Sequence, residues 1–236
     1  MAGTISDEIA ASLVAGRPEL VAVSTAERVA GLLRTRIMEG LFPPGTRLSE
    51  EALGQALGVS RNTLREAFRL LCHERLTVHE MNRGIFVPKL ARSDVSDLYR
   101  LRRLVEGGAA RCAARAPTER RVAVAAAVTD AEDAAARADW LAVRTADLHF
   151  HQALGALAGS DRVDELMRRA LAELRLAFYA MTDLEQFHRP FMERNRSIAE
   201  LVVAGRGDEA ECELSSYLAD AEAQLLAAHE AINGSS

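Results

Sequence analysis

Three arginines stand four residues apart in the segment VSRNTLREAFRLL, residues 59–71: Arg61, Arg65 and Arg69. On a helix this spacing stacks them in one stripe. Leu64, Ala67, Phe68 and Leu71 follow i, i+3, i+4, i+7 spacing and predict the opposite, core-facing stripe. A row of guanidinium groups suits a polyanion, because each can grip a phosphate or donate in a fork to O6 and N7 of guanine. Ser60, Asn62 and Thr63 add short hydrogen-bonding groups at the helix start, where free N–H groups favour a phosphate. The competing reading is a solvated helix face whose arginines serve solubility. A second constellation is Asp147 and His151, one helical turn apart on a face that otherwise carries Val143, Phe150 and Leu154. Buried charge is costly unless it is paired or coordinates something. Asp and His at this spacing can chelate one metal ion, or simply hydrogen-bond inside a helical bundle.

The elements that must hold these groups are mainly helical. Of 236 residues 49% are apolar and 27% charged, a globular composition rich in alanine and poor in aromatics. The three cysteines, Cys72, Cys112 and Cys212, are far apart and lack metal-ligand spacing, which predicts free thiols in a reducing compartment. The N-terminus shows no signal-peptide pattern and no apolar run reaches bilayer length, so a cytoplasmic protein without membrane contact is expected. Charge divides the chain. Residues 25–92 hold eleven Lys and Arg against seven Asp and Glu, a net of +4. The remainder carries −9 of the total −5. A polyanion partner is therefore expected for the first part only.

Residues 1–23 read as a variable arm, with Ile9, Leu13 and Val14 on one face of a short amphipathic helix. Val29, Leu32, Leu33 and Ile37 predict a helix from Thr25 that ends at Gly40. A second helix follows the N-cap Ser49, buries Leu53, Ala56 and Leu57, and stops at Gly58; Ser60 caps the third. Two β-like pieces, LTVHE and GIFVP, flank a turn at Asn82, Arg83 and Gly84. This sequence of elements predicts a winged helix-turn-helix over residues 24–90, with Arg83 at the wing tip. Glu66 and Glu74 read as ion-pair partners. PKLARSD is a linker in which Ser93 caps the next helix. Six helices, at 93–116, 118–138, 139–159, 161–182, 184–204 and 208–231, predict an antiparallel bundle over residues 93–231. Leu98, Val105 and Ala109 form an apolar stripe on its first helix, suited to the bundle core or to a dimer contact.

The stretch GTRLSEEALGQALGVSRNTLREAFRLLCHERL…NRGIFV resembles the winged-helix domain of GntR-family transcription regulators over about residues 26–88. The resemblance implies operator contacts by Arg61, Asn62, Thr63, Arg65 and the wing Gly84. Relatives of the FadR branch carry a basic residue early in the second helix. Glu51 stands there in this chain, so that contact is either missing or supplied by Arg47. Residues 93–228 resemble the FCD ligand-binding domain of that branch: DLYRLRRLVEGGAARCAAR is similar to its opening helix, and Asp147 and His151 match its metal-binding Asp-x-x-x-His. In metal-binding relatives two further histidines complete the site. Here Asn195 and Tyr217 stand at those positions, and both are poor ligands. His188, seven residues before Asn195, is about 10 Å away along a helix axis, too far for direct replacement. The resemblance thus implies a metal-free polar pocket of Arg102, Asp147, His151, His188, Asn195 and Tyr217, in which Arg102 holds an acidic effector. Its alternatives are a zinc, nickel or manganese ion on Asp147 and His151, and for Arg102 a surface pair with Glu106.

The function expected is a homodimeric, effector-responsive transcription regulator, in the repressor role, that binds double-stranded DNA at a near-palindromic operator. The alternatives are a constitutive DNA-binding protein whose bundle only dimerises, and a small helical metalloenzyme. No catalytic residues are assigned. The sequence holds no nucleophile elbow, phosphate-cradling loop or complete ligand set.

Overall fold

A computed structural model of the protein describes residues 24–181 and 183–233. The helix expected around Ile9, Leu13 and Val14 lies outside the described residues. Among the described residues the architecture is mainly helical, with one small sheet. The chain opens with α1 (Thr25–Glu39), the two-residue strand β1 (Arg47–Leu48), α2 (Glu50–Leu57) and α3 (Arg61–His73). Strands β2 (Val78–Glu80) and β3 (Gly84–Phe86) form the wing. The bundle is α4 (Arg92–Ala110), α5 (Thr118–Ala136), α6 (Trp140–Ala156), α7 (Asp161–Ala177), α8 (Leu184–Val203) and α9 (Gly207–Asn233). Short 3₁₀ turns at Ala113–Arg115 and Phe178–Ala180 follow α4 and α7.

Local chemistry explains the boundaries of the first module. Ser24 forms a capping box with Glu27 at the start of α1, and Gly40, at φ 93°, closes it in the left-handed region. Ser49 and Ser60 accept the N–H of Ala52 and Thr63 at the starts of α2 and α3. Gly58, at φ 63°, makes the tight turn between them. Leu53 and Leu57 are half-buried, but Ala56 is exposed, contrary to expectation: α2 spans only eight residues and presents a narrow stripe to α3. The sheet has order β1-β3-β2, with Arg47 and Val78 both opposite Phe86. The third strand went unread because two residues cannot display an alternating pattern. Val29, Leu33, Ile37, Leu64, Phe68 and Leu71 fill this module's core, and Leu176 of α7 enters it too.

The bundle core runs from Val95 to Leu225. Leu98 and Ala109 belong to it, and Val105 is half-buried against it, so that stripe is core. Ser93 does not cap α4. Ala91 is the N-cap, and its N–H is held by the Asp94 carboxylate at 2.7 Å. The helix predicted over 93–116 ends at Ala110, and the one predicted over 161–182 at Ala177. In both, the last residues turn to 3₁₀, which tightens the final turn before a change of direction. The two modules also touch outside their shared core: Arg75 pairs with Glu173 at 3.7 Å, and Tyr179 donates to the Ile37 carbonyl at 3.4 Å.

Candidate DNA-binding face and buried polar cluster

The exposed side of α3 carries Arg61, Arg65 and Arg69, while Leu64, Ala67, Phe68 and Leu71 are buried behind them. Asn62 is exposed beside Arg61; the Ser60 and Thr63 hydroxyls hydrogen-bond each other at 2.8 Å. Arg65 pairs with Glu50 at 3.0 Å and Arg69 with Glu66 at 2.6 Å. Glu74 reaches Arg34 of α1 rather than its own helix, at 2.6 Å. The Arg65 and Arg69 pairs are solvent-exposed and worth little, so a phosphate or base edge can replace either carboxylate. A groove of about 350 Å³ between α3 and the wing is lined by Arg47, Arg61, His79 and Gly84. Arg47 therefore lies on the same face as Arg61, although it comes from β1. Gly84 adopts φ 110°, where a side chain is strained, and a Cβ there would sit 3.4 Å from Arg47 Nε. Arg83 stands at the wing tip, 70% exposed, paired with Glu80 and 5.3 Å from the centre of the Phe86 ring.

Inside the bundle the chain assembles a closed polar cluster. Arg102, Glu106, Asp147, His151, His188, Asn195 and Tyr217 are each 0–6% exposed. Arg102 Nε donates to Glu106 Oε1 at 2.6 Å. Glu106 Oε2 lies 2.7 Å from His151 Nδ1. The Tyr217 hydroxyl is 3.3 Å from His151 Nε2 and donates to Asp147 Oδ1 at 3.2 Å. Asn195 Nδ2 donates to the same oxygen at 2.9 Å. His188 Nδ1 comes within 3.9 Å of Asp147 Oδ2. The Arg102–Glu106 pair is thus buried, not superficial. His188 Nδ1 stands 3.9 Å from Asp147 Oδ2, beyond hydrogen-bond range, while Asn195 bonds the other oxygen of the same carboxylate. His149 points outward, as its register requires.

Electrostatics follow from this packing. Burial works to raise the Asp147 pKa, but His151, His188, the Asn195 amide and Arg102 outweigh it and hold the carboxyl below its ordinary value. Glu106 behaves alike, with burial outweighed by Arg102 and His151. Burial lowers His188, against the pull of Asp147. Burial and then the neighbouring Asp147 charge push Tyr217 well above its ordinary value.

Among the described residues no group of three or more His, Cys, Asp or Glu side chains is placed to hold a metal ion. A metal needs lone pairs directed at it, whereas Asp147 Oδ1 receives an N–H from Asn195 and an O–H from Tyr217. His151 Nε2 is 3.9 Å from that oxygen, with the Tyr217 hydroxyl bonded to both. Glu106, the acceptor that joins Arg102 to His151, was legible in the sequence only as a neighbour of Arg102. Arg144, 5% exposed on α6, was missed, although it stands one turn before Asp147 among Leu141, Ala142, Val143 and Ala146.

Comparisons with known proteins agree with this arrangement. Residues 25–87 match the model for bacterial regulatory proteins of the gntR family, and residues 97–220 match the FCD domain. A crystal structure of a transcriptional regulator GntR from Rhodococcus sp. RHA1 superposes with a TM-score of 0.81 at 45% identity, covering 87% of this chain and 99% of that one. The Nta operon transcriptional regulator of Aminobacter aminovorans is 30% identical over 136 residues, 58% of this chain and 65% of the relative. The gluconate operon transcriptional repressor of Bacillus subtilis is 39% identical over 83 residues, 35% of this chain and 34% of the relative. The matched stretches are thus less than two thirds of either relative's length. The matches are to regulators and not to enzymes, and no helix among the described residues is long and apolar enough to cross a membrane. With a winged helix-turn-helix followed by an FCD bundle, the chain belongs to the GntR family of DNA-binding transcription regulators.

Proposed function

We propose that this regulator is an effector-responsive repressor that acts in the cytoplasm and binds a near-palindromic operator as a homodimer. The observation that carries the response is the 3₁₀ turn between α7 and α8, which touches both the polar cluster and α1. Phe178 packs on the His188 ring of the polar cluster, 5.6 Å between centres, while its neighbour Tyr179 donates to the carbonyl of Ile37 near the end of α1. A ligand that moved His188 would bias the placement of the winged module through this two-residue link. The names of the gluconate and Nta operon regulators support control of an operon by small-molecule supply. A dimer places two α3 helices in successive major grooves. Leu104, 77% exposed in mid-helix, and Leu166 of α7 line one groove and offer an apolar surface for the second copy.

The test is selection of operator DNA in vitro, followed by sedimentation of the complex. Two inverted half-sites about one helical turn apart and two chains per duplex are expected. One chain per site overturns the dimeric reading. A constitutive regulator would show no change of operator affinity with any small molecule.

The cluster works without a resident metal in this proposal. Protein purified without chelator is expected to hold far less than one zinc, nickel or manganese ion per chain, and chelator should leave its melting temperature unchanged. Replacing Asn195 and Tyr217 together by His should create metal uptake, because both hydrogen-bond donors on Asp147 become ligands. Stoichiometric metal in the unmodified protein, lost on His151→Ala, contradicts this.

A further inference from the structure

The groove between α3 and the wing gathers donors from three elements: Arg47 of β1, Arg61 of α3 and His79 of β2. All three side chains are exposed. Among the described residues Arg47 and Arg61 make no ion pair and His79 makes no hydrogen bond. Arg65 and Arg69, by contrast, are engaged by Glu50 and Glu66. Glu51 lines the groove too but pairs with neither free arginine. A ligand that enters here therefore displaces no internal partner of these donors. His79 stands opposite Ile85 in the wing, and both residues also border a second groove of about 470 Å³ beside Arg65 and Arg69. The histidine is thus at the centre of the face that α3 and the wing present together. Two guanidinium groups and an imidazole around one groove suit a single oxyanion, because each charge-assisted donor can take a different oxygen or share one. On this face the oxyanion at hand is a backbone phosphate of the duplex.

We propose that this groove seats one backbone phosphate of the bound DNA, and that His79 in its protonated form donates to that phosphate beside Arg47 and Arg61. The inference rests on α3 being the DNA-facing helix and adds a proton-linked contact from the wing. Imidazole is the side chain whose charge ordinarily changes between pH 5 and 8. The charged groups that line the two grooves with His79 are Arg47 of β1, Glu50 and Glu51 of α2, and Arg61, Arg65 and Arg69 of α3. From β3 the ring meets only Gly84 and Ile85, which carry no charge. A phosphate in the groove places a new negative charge beside the ring, so DNA binding is tied to proton uptake. The sign follows: the bound form holds more protons than the free form, and affinity rises as pH falls. The contact carries no base information, so it acts on any duplex sequence alike.

The test measures binding of the full chain to the selected operator and to a scrambled duplex, over a pH series at fixed salt and a salt series at each pH. The parent is expected to bind both duplexes about tenfold more tightly at about pH 6 than at about pH 8. Its slope of log K against log salt should be steeper by about 0.9 at the lower pH, the mark of one more phosphate contact. In His79→Gln, which keeps a neutral donor, both differences should vanish. His79→Arg, whose charge is fixed, should bind tightly and with the steep slope at both pH values. His73→Gln, at the end of α3 on a different groove, should keep the parent's profile. All three replacements are at exposed positions, so melting temperatures should stay within about 2 °C of the parent. A parent without pH dependence, or a pH dependence that survives His79→Gln, overturns the proposal. If the Arg61→Ala, Arg65→Ala variant nevertheless loses affinity, α3 remains the DNA-facing helix and only the phosphate seat falls. If that variant binds both duplexes like the parent, the DNA-facing role of α3 falls as well.

Discussion

Replacing Glu106 by Ala is expected to destabilise the bundle by about 3–5 kcal/mol, the range for removing one partner of a buried ion pair. The carboxylate is fully buried and serves two partners, Arg102 at 2.6 Å and His151 at 2.7 Å. Its loss leaves a guanidinium whose Nη2 is already unpartnered, and frees His151 Nδ1 in a site closed to water. For a chain of this size the melting temperature should fall by roughly 6–20 °C. Glu106→Gln, which keeps an oxygen acceptor but not the charge, should fall between the variant and the parent. The pH dependence has a definite sign. Glu106 has a depressed pKa in the fold, so its contribution is complete above the ordinary value of 4.5 and disappears as pH drops through the folded value. The gap between parent and Glu106→Ala in urea unfolding should therefore be widest above about pH 5 and narrow on acidification. A melting temperature within 2 °C of the parent at pH 7 would show that Arg102 finds another partner.

The Arg61→Ala, Arg65→Ala double variant is expected to bind the selected operator roughly a hundredfold or more less tightly. Each bidentate base contact is worth about 1–3 kcal/mol, and the two residues are one turn apart on the exposed face of α3. If either contacts phosphate instead, the slope of log K against log salt should shrink by about 0.9 for that contact. Folding should hardly change. Arg65 loses only an exposed pair with Glu50, and the core residues behind the stripe are untouched. Fluorescence anisotropy over a salt series, on the operator and on scrambled DNA, separates the two roles: loss on the operator alone marks base reading, and equal loss on both marks phosphate contact. Unchanged operator affinity with an unchanged melting temperature would remove α3 from the interface.

Much of this protein follows from local rules. The winged module was legible because its helices begin at Ser24, Ser49 and Ser60 and two of them end at Gly40 and Gly58, and because helical periodicity separates Leu64, Phe68 and Leu71 from the arginine stripe. Caps and periodicity act over a few residues, so they survive without knowledge of the rest of the chain. Asp147 and His151 stood out for the same reason, one turn apart on an apolar face. What surrounds them did not. The sequence alone left Arg102 facing either an effector or the solvent, and tertiary packing buried it against Glu106. The axial distance along α8 excluded His188 only as a direct replacement for a metal ligand at position 195, and the crossing of α6 and α8 sets its Nδ1 3.9 Å from the carboxylate that Asn195 bonds. Arg144 stands one turn before Asp147, a position compatible with either the inner or the solvent side of α6. It is 5% exposed, and whether a charged side chain on such a face is solvated or buried depends on what long-range packing puts in front of it.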